Sequence, residues 1–210
     1  NTWRMTPLAL ALCCVGAQAQ GGGESPFSFS GFATLGLVQT NTDAGQYVIF
    51  GQPRGADKSA SGEVDSKLGL QLTAKANKMF SGTVQVLTKQ TGDGNFRPEF
   101  EWAFAKAQFS PSVGVRLGRM GGPFFAVSDF RDAGYANTWL RPPQDVYGQV
   151  PVSHFDGADV IYQTNIGSAS FSAQLFGGKS EANVQGTTVK LDSLVGINSS
   201  VEVDGGITLR

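Results

Sequence analysis

A period-two alternation of apolar and polar residues recurs along almost the whole chain and limits what it can fold into. Between Lys67 and Ala76, leucines and alanines occupy one set of alternate positions, while lysine, glutamine and threonine occupy the other. The same pattern returns in segments that begin near Phe27, Thr83, Phe100, Val113, Ala169 and Val195. Successive side chains of a β-strand point to opposite faces, so this period predicts strands with one apolar and one polar face. The sequence therefore predicts an all-β fold.

The connections between these segments alternate in length, which indicates how the strands are joined. Short, turn-like connections are predicted at 77–82, 110–112, 165–167 and 204–206. Longer connections are predicted at 41–64, around 92–95, at 116–157 and at 177–188. Tight turns at one end and long loops at the other are typical of an up-and-down antiparallel transmembrane β-barrel, in which one face meets lipid and the other meets water. A secreted soluble β-sandwich also has alternating strands and remains an alternative.

The end of the sequence, "ITLR", follows an Asp-Gly turn and has the pattern of a ninth strand. A barrel in lipid requires every strand edge to be paired. We therefore expect these residues to be the first eight or so strands of a larger barrel, and the domain to cover residues 20–210.

The first 19 residues resemble a secretory signal peptide. An apolar run from Leu8 to Gly16 precedes Ala17-Gln18-Ala19, a small-x-small cleavage pattern. A buried strand or short helix is the alternative interpretation. Both cysteines, Cys13 and Cys14, lie in this segment, so we expect no disulfide in the mature chain.

Composition and motifs argue against several classes of function. The net charge is −1, which gives no support for a nucleic-acid partner. The single histidine, His154, is a poor candidate for a metal site or a catalytic triad. Glu99 and Glu101 resemble a general acid/base pair, but water-facing lumen charges are the better interpretation. We therefore expect no enzymatic activity, no cofactor and no metal.

Residues 116–157 form an unusually long run without strand or helix periodicity, and such a connection is commonly functional. The motifs "VRLGRMGGPFF" and "DAGYANTWLRPPQDVYGQVPVSHFDGADVIYQ", together with "SGFATLGLV" and "FEWAFAKAQFSP", resemble the general porins of Gram-negative bacteria, especially the β-proteobacterial type. The resemblance covers nearly everything from Phe27 onward. It implies a barrel of about sixteen strands, a homotrimer in the outer membrane, and a third long loop folded inward as a constriction.

The composition of this loop agrees with a constriction, because arginines and aspartates are interspersed in it. Opposite charges inside a pore select solutes by size and sign. Candidate lumen residues are Lys67, Lys75, Glu99, Glu101, Arg116, Arg119, Asp129, Arg131, Asp132, Arg141 and Asp145. Candidate anchors of the loop are Phe124, Phe125, Tyr135, Trp139 and Tyr147. Pairing of these charges with one another inside the loop is the alternative role.

The same interpretation places six aromatic residues on the lipid face or at the membrane interfaces: Phe27, Phe100, Trp102, Phe104, Tyr162 and Phe171. The expected function is passive diffusion of small hydrophilic solutes and ions, with outer-membrane lipid as the surroundings. An outer-membrane barrel enzyme and a secreted β-sandwich binding protein are the two alternatives.

Overall fold

The structure is a computed structural model that describes residues 25–125, 128, 130–137, 139, 141–203 and 206–210. The predicted signal peptide lies outside the described residues. In the described part the chain forms β1 (Phe27–Thr34), β2 (Lys67–Lys75), β3 (Phe80–Gln90), β4 (Phe96–Gln108), β5 (Val113–Gly121), β6 (His154–Ile166), β7 (Ala169–Val184), β8 (Thr187–Val203) and β9 (Ile207–Leu209).

All nine strands belong to one antiparallel sheet in which the spatial order follows the chain order. The described helices are a 3-10 turn at Gly134–Ala136 and a single α-turn at Gln144–Tyr147, both between β5 and β6. No helix in the described residues is long and apolar enough to span a membrane. The prediction of an all-β antiparallel meander is therefore confirmed. The sheet is open, with β1 and β9 as its edges.

The two faces of the sheet differ in polarity as the alternation predicts. In β2, Leu68, Leu70 and Leu72 are exposed, while Gln71 and Thr73 on the opposite face are half-buried. We call the face that contacts the β5–β6 connection the inner face, and the opposite face the outer face. Cross-strand pairing aligns the outer face from β1 to β9, and its exposed apolar residues include Phe29, Leu72, Val84, Val160, Leu175, Ile197 and Leu209.

A bulge in β4 corrects one prediction about the faces. Gln85 pairs with Trp102, while the next residue of β3, Val86, pairs with Phe100, so Glu101 is an extra residue. An extra residue shifts every later side chain of a strand to the other face. Phe100 stays on the outer face, but Trp102 and Phe104 lie on the inner face. The prediction that Trp102 and Phe104 face lipid is therefore wrong.

The connection between β7 and β8 is also shorter than predicted. The two strands stay paired through polar residues up to Val184, with one register shift between Gly178 and Ser180, and a two-residue turn at Gln185 and Gly186 joins them. Both turn residues have positive φ, at 50° and 80°, as type I′ hairpin turns require. The polar composition indicated a loop, but backbone pairing in a hairpin does not need an apolar face.

Contacts between distant hairpins show that the sheet is strongly curved. At the tips of the β3–β4 and β7–β8 hairpins, the amide of Gly186 donates to the carbonyl of Gly92 at 3.0 Å. The Asn183 side-chain amide donates to the Asp93 carboxylate at 2.5 Å. The curvature makes the inner face concave and brings two loop ends together above it.

An apolar cluster lies on the inner face where the long β5–β6 connection begins. Met120, Phe155 and Phe176 are its buried centre, and Phe104, Phe124 and Leu194 pack against them. The rings of Phe124 and Phe176 make an edge-on contact with their centroids 6.3 Å apart. Burial of Phe124 therefore directs the connection towards the inner face as soon as it leaves β5.

Candidate functional site

The connection between Gly121 and His154, which we call the inserted loop, lies over the inner face and encloses a cavity of about 960 Å³. Its lining comes from the inserted loop, the first loop between β1 and β2, and the ends of β1 to β8 that lie near these loops. Among the described residues, seven Lys and Arg side chains and seven Asp and Glu side chains line it. The cavity is thus densely charged and close to neutral overall.

Asp132 attaches the middle of the inserted loop to the sheet. Its carboxylate accepts hydrogen bonds from Lys67 of β2 at 3.1 Å and from Lys89 of β3 at 3.2 Å. Arg131 adds a third cation 3.7 Å from the same carboxylate. Burial alone would raise the pKa of Asp132, but Lys89, Lys67 and Arg131 together hold that pKa well below its usual range. Asp132 is therefore ionised wherever the protein is folded at ordinary pH.

Glu101, the extra residue of the β4 bulge, forms a second contact with the loop. Its carboxylate lies 4.0 Å from the guanidinium of Arg131 and 3.8 Å from Nδ1 of His154. His154 also contacts the hydroxyl of Ser153 at 3.0 Å. The bulge thus places a carboxylate between the middle and the end of the inserted loop.

Arg141 joins the inserted loop to the first loop. Its guanidinium makes a bidentate pair with Asp65, with Nε 2.6 Å from Oδ1 and the second bond between Nη2 and Oδ2. The guanidinium also lies over the ring of Tyr47, 4.9 Å from its centroid. Hydrogen bonding to Asp65 raises the pKa of Arg141, so the guanidinium stays charged. Nearby, Gln144 accepts a bond of 2.7 Å from the Phe50 amide.

Two further arginines form ion pairs on the sheet itself. Arg116 donates to both carboxylate oxygens of the buried Asp159 at 3.0 and 3.1 Å, and its guanidinium lies over Phe104. Arg119 pairs with Asp156 through two bonds of 2.8 Å. Each of the two arginines is therefore paired with a carboxylate of β6.

The structure separates the predicted lumen residues into two groups. The cavity lining includes Lys67, Glu99, Glu101, Arg119, Arg131, Asp132 and Arg141. Lys75 and Arg116 lie on the inner face outside that lining, and Asp145 is exposed on the one-turn helix. Asp129 lies outside the described residues.

The predicted aromatic anchors of the loop also fall into two groups, packed and exposed. Phe124 packs in the apolar cluster, and Phe125 packs on Tyr147 with ring centroids 4.7 Å apart. Tyr135 and Trp139 are exposed, so the structure does not use them to hold the loop.

Several partners of these charges were missed from sequence. Lys89, Asp65, Asp156 and Asp159 each complete an ion pair described above. Alternation could have placed Lys89 on the polar face of β3, because it follows Gln85 by an even number of residues. No local signal identifies Asp65 as the partner of a residue 76 positions later.

Neither a protein-family model nor a curated protein matches the chain.

Proposed function

We propose that this chain forms part of the wall of an outer-membrane porin, with the inserted loop as the constriction of a water-filled diffusion pathway. The observation that supports this most directly is the polarity of the curved sheet. Large apolar side chains such as Leu70, Leu175 and Ile197 are exposed on the outer face. The inner face carries charged and amide side chains such as Lys67 and Gln85 beside the apolar cluster around Phe176. A soluble β protein buries its apolar face, whereas a wall between lipid and water exposes it.

The inserted loop supports the same proposal. It leaves β5, crosses the inner face and is fastened to β2 and β3 through Asp132. A loop held in this way would reduce the open area beside the wall, and a cavity of about 960 Å³ lies next to the loop. Solutes would then be sorted by size and charge, and no chemical step is needed.

The proposal has further structural requirements. Strands can cross lipid only when all their backbone groups are paired, so partners for the edges of β1 and β9 are required. Export through the N-terminal segment and assembly as a homotrimer belong to the proposal as consequences of the resemblance to porins. Cross-linking of the detergent-purified protein tests the trimer.

Conductance across a planar lipid bilayer tests the function. The detergent-purified protein is added to one side, and we expect stepwise, ohmic current increments in potassium chloride. The Asp132→Asn variant should change the size of the increments, because Asp132 holds the loop. A protein that purifies without detergent and produces no current steps would overturn the proposal and favour a secreted binding protein.

A further inference from the structure

A second group of cations lies on the inner face towards the short turns, away from the cavity. Lys75 of β2 is paired with Ser81 of β3, Ser81 with Lys106 of β4, and Lys106 with Arg116 of β5. These four residues therefore form one row across four adjacent strands, which we call the basic row.

Alternation places the basic row on the inner face. Lys75 follows Lys67 by an even number of residues in β2, and Lys67 reaches the inserted loop through Asp132. Lys106 follows Phe104 in the same way, and Phe104 packs in the inner apolar cluster. Both lysines thus face the same space as the cavity.

The charges of the basic row are not balanced in the way that the cavity charges are. Arg116 is neutralised by Asp159, which also accepts a bond of 2.7 Å from Gln174. In the described part of the chain, neither Lys75 nor Lys106 forms an ion pair.

Among the described residues, one further carboxylate lies towards the short turns on the inner face. This is Glu202 of β8, which is four strands away from Lys106 along the sheet. The strands nearer to the two lysines, β1, β2, β3 and β5, contain no aspartate or glutamate. The basic row is therefore locally positive within the part of the chain that the structure describes.

The spacing within the row suits a small oxyanion. Strands two apart are separated by about 10 Å, and the hydroxyl-bearing Ser81 lies between Lys75 and Lys106. Long flexible ammonium side chains bind phosphate as point charges, and a hydroxyl can donate one more bond. The stem of Lys106 lies over Gly114, where an added Cβ would be 3.3 Å from the Lys106 Cε.

We propose that Lys75, Ser81 and Lys106 form a low-affinity binding site for a small oxyanion of the phosphate class. The site would hold solutes that carry a phosphate group after they pass the inserted loop. This role in permeation rests on the proposed function, whereas the binding itself does not.

Binding of inorganic phosphate to the detergent-purified protein tests the site, measured by phosphorus NMR line broadening or by calorimetry. We expect the Lys75→Gln/Lys106→Gln variant to bind phosphate at least about tenfold more weakly, because two charge-assisted contacts are lost. The Lys78→Gln variant is the matched control, since it removes one charge from the exposed short turn beside β2. Binding should also weaken as sodium chloride is increased.

Two results would overturn the site: phosphate affinity that the double variant leaves unchanged, or an equal loss in the Lys78→Gln control. The single variants Lys75→Gln and Lys106→Gln provide the same comparison if the double variant does not fold. Because binding is measured without current, its failure is distinct from a failure of the proposed pore, which bilayer conductance tests separately.

Discussion

Arg141 and Asp65 lie 76 positions apart in sequence and form a bidentate ion pair in the structure. The pair joins the two longest connections of the chain at the edge of the cavity. Arg141 also stacks on Tyr47, so one guanidinium holds two separate points of the first loop. Movement of either loop therefore requires this contact to break.

The Arg141→Lys variant tests the contact between the loops. Lysine keeps the charge but loses the planar fork and the stacking on Tyr47. We expect a local loss of about 1–2 kcal/mol, or roughly 5–30-fold faster amide exchange in residues 47–56 and 141–148. Hydrogen exchange with mass spectrometry measures this. The control is Lys58→Gln, which removes an exposed pair with Asp43 and should leave both segments unchanged.

The Asp132→Asn variant tests the attachment of the inserted loop to the sheet. Removing the carboxylate leaves Lys67 and Lys89 without their partner, at a cost of about 3 kcal/mol. We expect faster amide exchange in residues 130–137 and larger current steps in bilayers. Asp145→Asn is the matched control, because Asp145 is exposed in the same loop. Equal exchange in both variants would show that Asp132 does not hold the loop.

The same carboxylate predicts how the loop responds to acid. The folded pKa of Asp132 is lower than the unfolded value, so its stabilising contribution is complete above the unfolded pKa, about 4. That contribution is lost only as pH falls below this value towards the folded pKa. We expect the exchange protection of residues 130–137, corrected for intrinsic rates, to be equal at pH 7 and pH 5. A loss of protection between those values would contradict the assignment.

Strands β6 and β7 approach each other closely at Gly157, and this predicts the effect of adding one methyl group at that position. A Cβ added to Gly157 of β6 would lie 2.1 Å from the Gly177 carbonyl oxygen of β7, closer than any real contact. We expect Gly157→Ala to destabilise the sheet by about 1–3 kcal/mol, seen as a lower urea midpoint of unfolding. Gly45→Ala is the control, because a Cβ there meets no atom within 4 Å.

The β4 bulge predicts different surroundings for two neighbouring aromatic positions. In bilayers that contain brominated lipid, the fluorescence of Trp102 should be little quenched, because Trp102 lies on the inner face. A tryptophan introduced by Phe100→Trp, with Trp102 replaced by Phe, should be strongly quenched. Both measurements use a background in which Trp3 and Trp139 are replaced by Phe. Strong quenching of Trp102 would contradict the bulge.

Sequence alone predicted the strands well, because the alternation of apolar and polar residues is a local pattern that depends only on neighbouring positions in the chain. It predicted the face of Leu70 correctly, since Leu70 lies in a strand that pairs without a register shift. It failed at Trp102 and Phe104, because one extra residue in β4 has no signature in a local window. Polar residues near Gln185 were assigned to a loop, because alternation cannot detect a hairpin whose two faces are both polar.

The charged site was predictable only in part. Composition indicated that the inserted loop carries interspersed charges, and seven of the residues predicted to face a lumen, including Lys67 and Asp132, line one cavity in the structure. The pairing between them was not predictable, because it depends on how far the loop crosses the sheet. Arg116 illustrates this limit: its alternating position indicates the inner face, but its neutralisation by Asp159 follows only from the register of β5 with β6.

The extra residue at Glu101 also determines which change of length the wall tolerates. Deleting Glu101 would remove the bulge and make Phe100 and Trp102 successive residues, so Trp102 and Phe104 would stay on the inner face and Phe104 would keep its place in the cluster around Phe176. Deleting one residue from the middle of β2, which pairs without a bulge, would instead move every later side chain of that strand to the other face. The bulge thus allows β4 to lose one residue without exchanging the surroundings of its side chains, a change that an unbulged strand does not tolerate.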